Sequence, residues 1–138
     1  MRTTEARTHV PVADDGDVLV ARREARELAR EAGFTDGDQT VIATAVSEIA
    51  RNIVTHAGSG TIDLQIVGDR GRCGLTVVCR DRGPGVPDVD LALRDGYSTS
   101  GGLGLGLPGA RRLMDEFEFT SEPGKGTVVT MRKWRSGR

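Results

Sequence analysis

The chain predicts an α+β fold: a two-layer sandwich of a mostly antiparallel mixed sheet with helices on one face. Three features carry that expectation. Two early segments place apolar residues at three- and four-residue steps, the period of a helix buried along one side. Later segments alternate apolar and polar residues around short glycine-containing turns, as hairpins do. The order is strand, two helices, two strands, a long loop, a helix and two strands, which segregates the helices from the hairpins. With 138 residues, positions 1–138 are expected to form one domain.

Apolar residues make up 37% of the chain, with three Phe, one Tyr and one Trp. Leu, Val, Ile and Ala must therefore supply most of the packing. A net charge of −1 gives no electrostatic reason to expect nucleic acid or an acidic membrane surface. Cys73 and Cys79 fall in one predicted strand, about 20 Å apart at a rise of roughly 3.3 Å per residue. A disulfide needs Cα atoms within about 7 Å, so both are expected as buried thiols in a reducing compartment. No signal peptide, lipidation motif or long apolar run is seen, and a cytoplasmic location is expected.

In chain order, His9 to Val12 reads as a short edge strand, where Pro11 is tolerated because an edge N–H need not pair. Asp15 to Asp17 caps a helix over about Val18 to Ala32, stopped by Gly33; Val18, Ala21, Ala25, Leu28 and Ala32 face inward, and Arg and Glu residues face solvent. A second helix runs from about Asp38 to His56 with Ile42, Ala45, Val46, Ile49 and Ile53 as its core stripe. Beside that stripe, Thr44, Glu48, Asn52 and His56 recur every four residues. Neighbours at that spacing share a helix face, so a carboxylate and a carboxamide stand side by side. Thr61 to Val67 and Cys73 to Arg80 form a hairpin around Gly68-Asp69-Arg70-Gly71. Val86 to Ser100 is polar, with room for one helical turn at Asp88 to Leu93. A third helix reaches about Glu116, starting near Ala110, and Phe117 to Ser121 pairs with Thr127 to Lys133 around Pro123-Gly124-Lys125-Gly126.

The chain is organised around Asp81 to Gly109. An apolar strand stops on Asp81-Arg82-Gly83-Pro84-Gly85, and a second glycine run, Gly101-Gly102-Leu103-Gly104-Leu105-Gly106-Leu107-Pro108-Gly109, leads into a helix. Glycine lets backbone approach a ligand closely, and a helix start offers unpaired N–H donors that suit phosphate. Two common phosphate motifs are absent. A dinucleotide fingerprint needs Gly-x-Gly-x-x-Gly directly after a strand, but here the third position falls on Leu107. A Walker loop needs Lys followed by Ser or Thr, but Lys125 is followed by Gly126.

Three boxes then occur in order: Glu48-x-x-x-Asn52-x-x-x-His56, Asp81-x-Gly83-x-Gly85, and Gly102-x-Gly104-Leu105-Gly106-Leu107, followed by Gly124-Lys125-Gly126-Thr127. This set resembles the ATP-binding module of gyrase, histidine kinases and MutL, the GHKL or Bergerat fold. Ser47-Glu48-Ile49-Ala50-Arg51-Asn52, Asp95 to Gly104 and Leu107 to Phe117 further resemble switch-protein serine kinases of the RsbT type, relatives of anti-sigma kinases. The match spans nearly the whole chain, which has the short length of a stand-alone member.

The resemblance implies a role for each matching position. Asp81 accepts from the exocyclic amine of adenine, and Thr127 shares that contact. Asn52 holds Mg²⁺ through its side-chain oxygen, a hard ligand for a hard cation. Glu48 is the general base for a target serine. Gly83 and Gly85, which follow Asp81, belong to the nucleotide-binding residues. Gly102, Leu103, Gly104, Leu105, Gly106 and Leu107 wrap the phosphates of ATP with backbone N–H groups. Residues 87–101 cover the nucleotide as a lid. His56 reads as a helix-end cation rather than a phosphate ligand, and Arg51 and Arg111 remain open between charge pairing and partner contact. The implied activity is an ATP- and Mg²⁺-dependent protein serine kinase acting on a STAS-domain scaffold or antagonist protein in a partner-switching stress pathway. After phosphorylation it would bind and activate a PP2C-type phosphatase. The alternative is an anti-sigma factor that uses nucleotide to control binding to a sigma factor. No nucleic acid or membrane partner is implied, and the sequence leaves the oligomeric state open.

Overall fold

The computed structural model describes residues 6–82, 106–122 and 124–135. Along them lie Arg7–Val12 (β1), Asp15–Glu31 (α1), Asp36–Asn52 (α2), Gly60–Asp69 (β2), Arg72–Asp81 (β3), Gly106–Leu113 (α3), Glu116–Glu122 (β4) and Gly126–Trp134 (β5). The strands form a five-stranded sheet in the order β1-β2-β3-β5-β4. All four pairings are antiparallel, so the predicted α+β sandwich stands, with no parallel pair among the described strands. Pro11 does lie on an edge strand, paired only toward Thr61.

One sheet face carries the core. Val10 and Val12, Ile62 and Leu64, Leu75, Val77 and Cys79, and Val129 and Met131 are buried on it. The helices cover that face. α1 packs on β1, β2 and α2, while α2 also touches β3 and carries α3 on its flank. Ala21, Ala25, Ala45 and Ala50 are fully buried, so small side chains line part of the buried faces of α1 and α2. With few aromatics, close helix approach replaces bulky filling.

Element ends differ from expectation for local reasons. α1 begins at Asp15 because Asp14 caps it, its carboxylate accepting from the Asp17 N–H at 3.0 Å. α2 starts at Asp36, two residues earlier than expected, since the Thr35 hydroxyl accepts from the Asp38 N–H at 3.1 Å. It ends at Asn52, and Ile53–Ala57 continue as a single π-type turn closed by the Gly58 N–H on the Ile53 carbonyl at 2.8 Å. α3 already begins at Gly106 rather than Ala110. A Pro in the first turn forfeits no helical hydrogen bond, and Pro108 and Ala110 are fully buried. It stops at Leu113 instead of Glu116, because the next residues join the sheet. The Asp115 N–H donates to the Arg132 carbonyl at 3.0 Å, and the Glu116 carboxylate takes the Trp134 indole N–H and Arg132.

Both cysteines are free, as their spacing required, but Cys73 is only half-buried, its Sγ 3.6 Å from the Ala32 carbonyl. Cys79 is buried. Burial first, then the nearby Asp63 and Asp81 carboxylates, push its thiol far above the ordinary value of 9.0. The folded protein thus keeps a proton that the unfolded chain releases, and stability tied to this group is intact below about pH 9 and lost above it. The urea midpoint is expected to fall from about pH 9 upward, at a slope of up to ~1.4 kcal/mol per pH unit. Cys79→Val should flatten that slope; an equal slope in the variant would show that another group causes it.

Candidate active site

The end of β3 brings together two of the predicted site residues, Asp81 and Thr127. Register places Asp81 opposite Thr127 of β5 on one side and opposite Gly60 of β2 on the other. Side chains alternate along a strand, so Asp81 shares the helix-facing side with buried Leu75, Val77 and Cys79. The carboxylate is thus presented toward the helices rather than toward the open sheet face.

The neighbouring glycines are dictated by close approach. A Cβ on Gly126 would stand 2.1 Å from the Asp81 carbonyl oxygen and 2.8 Å from the Arg82 Cα, and its φ is +102°. Backbone of the segment leaving β3 occupies the space a side chain would need. A Cβ on Gly60 would stand 2.3 Å from the Arg80 carbonyl oxygen, 3.0 Å from Ile53 Cγ2 and 3.1 Å from Asp81 Cβ. Gly60 is therefore the point where the end of α2 and the end of β3 nearly touch. Ile53, which makes this approach, directly follows Asn52 in sequence.

Glu48 and Asn52 lie one turn apart on α2 and are both half-buried. Among the described residues, the Asn52 side chain has no hydrogen-bond partner, which leaves its oxygen available as a ligand. Glu48 pairs with Arg51, Oε2 to Nη1 at 3.7 Å, with 35% and 49% of the two side chains exposed. A pair this open contributes about 0–1 kcal/mol, so an incoming group displaces Arg51 at small cost. That settles one contact of Arg51, which the sequence left open. His56 is exposed in the π-type turn and Arg111 is exposed on α3. Gly106 is the first residue of α3, and Leu107 follows half-buried against the core. α3 packs on α2. Gly83, Gly85, Gly102, Leu103, Gly104, Leu105 and the lid at 87–101 lie outside the described residues.

Sequence reasoning missed Ser121. Its hydroxyl is 3.1 Å from Thr127 Oγ1 and donates to the Gly126 carbonyl at 3.3 Å. The signal was present in the pairing across the last hairpin, which sets Ser121 opposite Thr127 and on the face of Phe117 and Phe119. A shallow groove of ≈ 430 Å³ on the opposite sheet face, lined by Arg7, His9, Asp63 and Arg80, is separate from this site. There Asp63 pairs with His9 Nδ1 at 2.6 Å and with Arg80 at 3.5 Å.

A sheet covered on one face by helices, with Asp81 at a strand end and Glu48 and Asn52 on α2, is the layout expected of an ATP-binding module of the GHKL type. The chain belongs to the histidine kinase-like ATPase domain family, whose model matches residues 11–133. It is 49% identical over 125 residues to the serine/threonine-protein kinase RsbT of Bacillus subtilis (strain 168), covering 91% of this chain and 94% of that one. It is also 35% identical over 101 residues to the anti-sigma F factor of Thermoanaerobacter sp. (strain X514), covering 67% and 68%. In fold it resembles the RsbU and RsbW domains of Rv1364c from Mycobacterium tuberculosis, with a TM-score of 0.65 at 23% identity, over 97% of this chain and 34% of that one. These likenesses support the kinase reading and the RsbT-type resemblance drawn from the motifs. No helix among the described residues is long and apolar enough to cross a membrane.

Proposed function

We propose that this chain, as one domain, is a protein serine kinase that uses Mg²⁺-ATP to phosphorylate a STAS-domain partner. The observation that carries the reading is the meeting of Asp81, Thr127 and the α2 end around Gly60, in a chain so similar to a serine/threonine-protein kinase. Asp81 accepts from the adenine amine, with Thr127 beside it. Gly106 and Leu107, with the glycine run before them, offer backbone N–H groups at the start of α3 to the phosphates. Glu48 takes the serine proton as the serine oxygen bonds to the γ-phosphorus, while the bond from that phosphorus to the β–γ bridging oxygen breaks and ADP leaves.

The donor set fits a magnesium ion. Asn52 supplies a half-buried oxygen with no side-chain partner among the described residues, and no three His, Cys, Asp or Glu side chains converge among them. Such a site suits a cation that keeps waters and shares phosphate oxygens. The ion, when bound, neutralises charge on the phosphates. Asn52→Ala is expected to weaken ATP binding about tenfold in the presence of Mg²⁺ and hardly at all in EDTA. Equal loss in both conditions would remove Asn52 from the metal.

The stress-pathway assignment and the binding of a PP2C-type phosphatase after phosphorylation extend the same reading. Likeness to anti-sigma F factors supports a second one, nucleotide-dependent capture of a sigma factor. Incubation with γ-labelled ATP, Mg²⁺ and a STAS-domain protein encoded nearby separates the two. The kinase reading expects label on a serine of that protein. ATP binding without transfer, together with nucleotide-dependent retention of a sigma factor, would favour the second.

A further inference from the structure

We infer that Ser121 is a positioning residue that sets the hydrogen-bond polarity of the nucleobase end of the site. Asp81, Thr127 and Ser121 form a row across β3, β5 and β4, each opposite the next in register. A hydroxyl has one proton to donate. The Ser121 hydroxyl lies 3.3 Å from the Gly126 carbonyl, which can only accept, and 3.1 Å from Thr127 Oγ1, where either oxygen can donate; assigning the Ser121 proton to the carbonyl makes Thr127 the donor to Ser121. With its proton committed, Thr127 turns lone pairs toward the pocket. The Asp81 carboxylate also only accepts. Two acceptors side by side match a base edge that donates, the exocyclic amine of adenine, and oppose a carbonyl at that position. Gly126, held by its left-handed φ and by the Asp81–Arg82 backbone, anchors the relay on a carbonyl that cannot turn away.

This inference rests on adenine binding at Asp81 and deepens it into a specificity device. It is tested by competition titration of ATP against inosine triphosphate, which carries a carbonyl in place of the amine. In Ser121→Ala, Thr127 regains a proton to donate. The preference for ATP over inosine triphosphate is then expected to fall about five- to tenfold, with an unchanged urea midpoint. Ser121→Thr keeps the hydroxyl and should keep the preference. An unchanged ratio in Ser121→Ala, or an equal drop in both variants, overturns the inference. If Ser121→Ala does not fold, Ser121→Val, a strand former without the hydroxyl, reads the same lock: a similar fall in the ratio supports it and an unchanged ratio overturns it. Asp81→Ala is titrated alongside. Unaltered ATP binding there would sink the adenine assignment itself, an outcome read on a different variant.

Discussion

Glu48→Gln is expected to lower phosphoryl transfer to a protein serine by about 10²- to 10⁴-fold while leaving ATP affinity within about twofold. The amide keeps the shape of the side chain and its place one turn before Asn52, so the helix face and the metal ligand are undisturbed. What disappears is the capacity to take a proton. The carboxylate's recorded ion-pair partner is the open contact to Arg51, which costs little to exchange for a serine hydroxyl. Single-turnover transfer with saturating ATP reads the chemical step directly. Undiminished transfer in the variant would place the base elsewhere, and a matching loss of ATP affinity would mean that Glu48 serves binding rather than proton removal.

The second large effect is expected at Asp81. Asp81→Ala should weaken ATP and ADP alike, by about ten- to a hundredfold, since hydrogen bonds to a charged group contribute about 1.5–3 kcal/mol. Equal loss for both nucleotides is the informative part. A residue that reads the base cannot distinguish the number of phosphates, whereas Asn52 should. Cys79, two residues earlier on the same strand, is held as a neutral thiol by burial first and by this carboxylate only in part, so it stays neutral in the variant. Calorimetric titration with each nucleotide measures both affinities, and a silent variant would contradict the adenine contact.

Much of this was legible in the residues because the physics was local. The apolar stripe of α2 announced its buried side, and four-residue spacing was enough to set Glu48 beside Asn52. Alternation in β2 and the turn that follows it gave the hairpin, and with it the strand that stops on Asp81. Less legible were features decided by partners distant in sequence. Gly106 opens α3 because Pro108 and Ala110 bury against the protein, which no local signal before Ala110 declares. Glu116 leaves the helix pattern because Arg132 and Trp134 claim its carboxylate from across the sheet, and those same contacts draw its titration below the ordinary carboxylate range. Gly60 reads as an ordinary strand-start residue until the approach of Ile53 and Asp81 is seen. Ser121 escaped notice for the same reason: its importance lies in a cross-strand partner rather than in its neighbours.

The most direct test is a crystal structure of the chain with Mg²⁺ and a non-hydrolysable ATP analogue. The adenine amine is expected within hydrogen-bond distance of the Asp81 carboxylate, about 2.7–3.2 Å, with the metal on the Asn52 oxygen and the γ-phosphate toward Glu48. A nucleotide seated instead in the groove beside His9 and Arg80, on the opposite face of the sheet, would contradict the assignment.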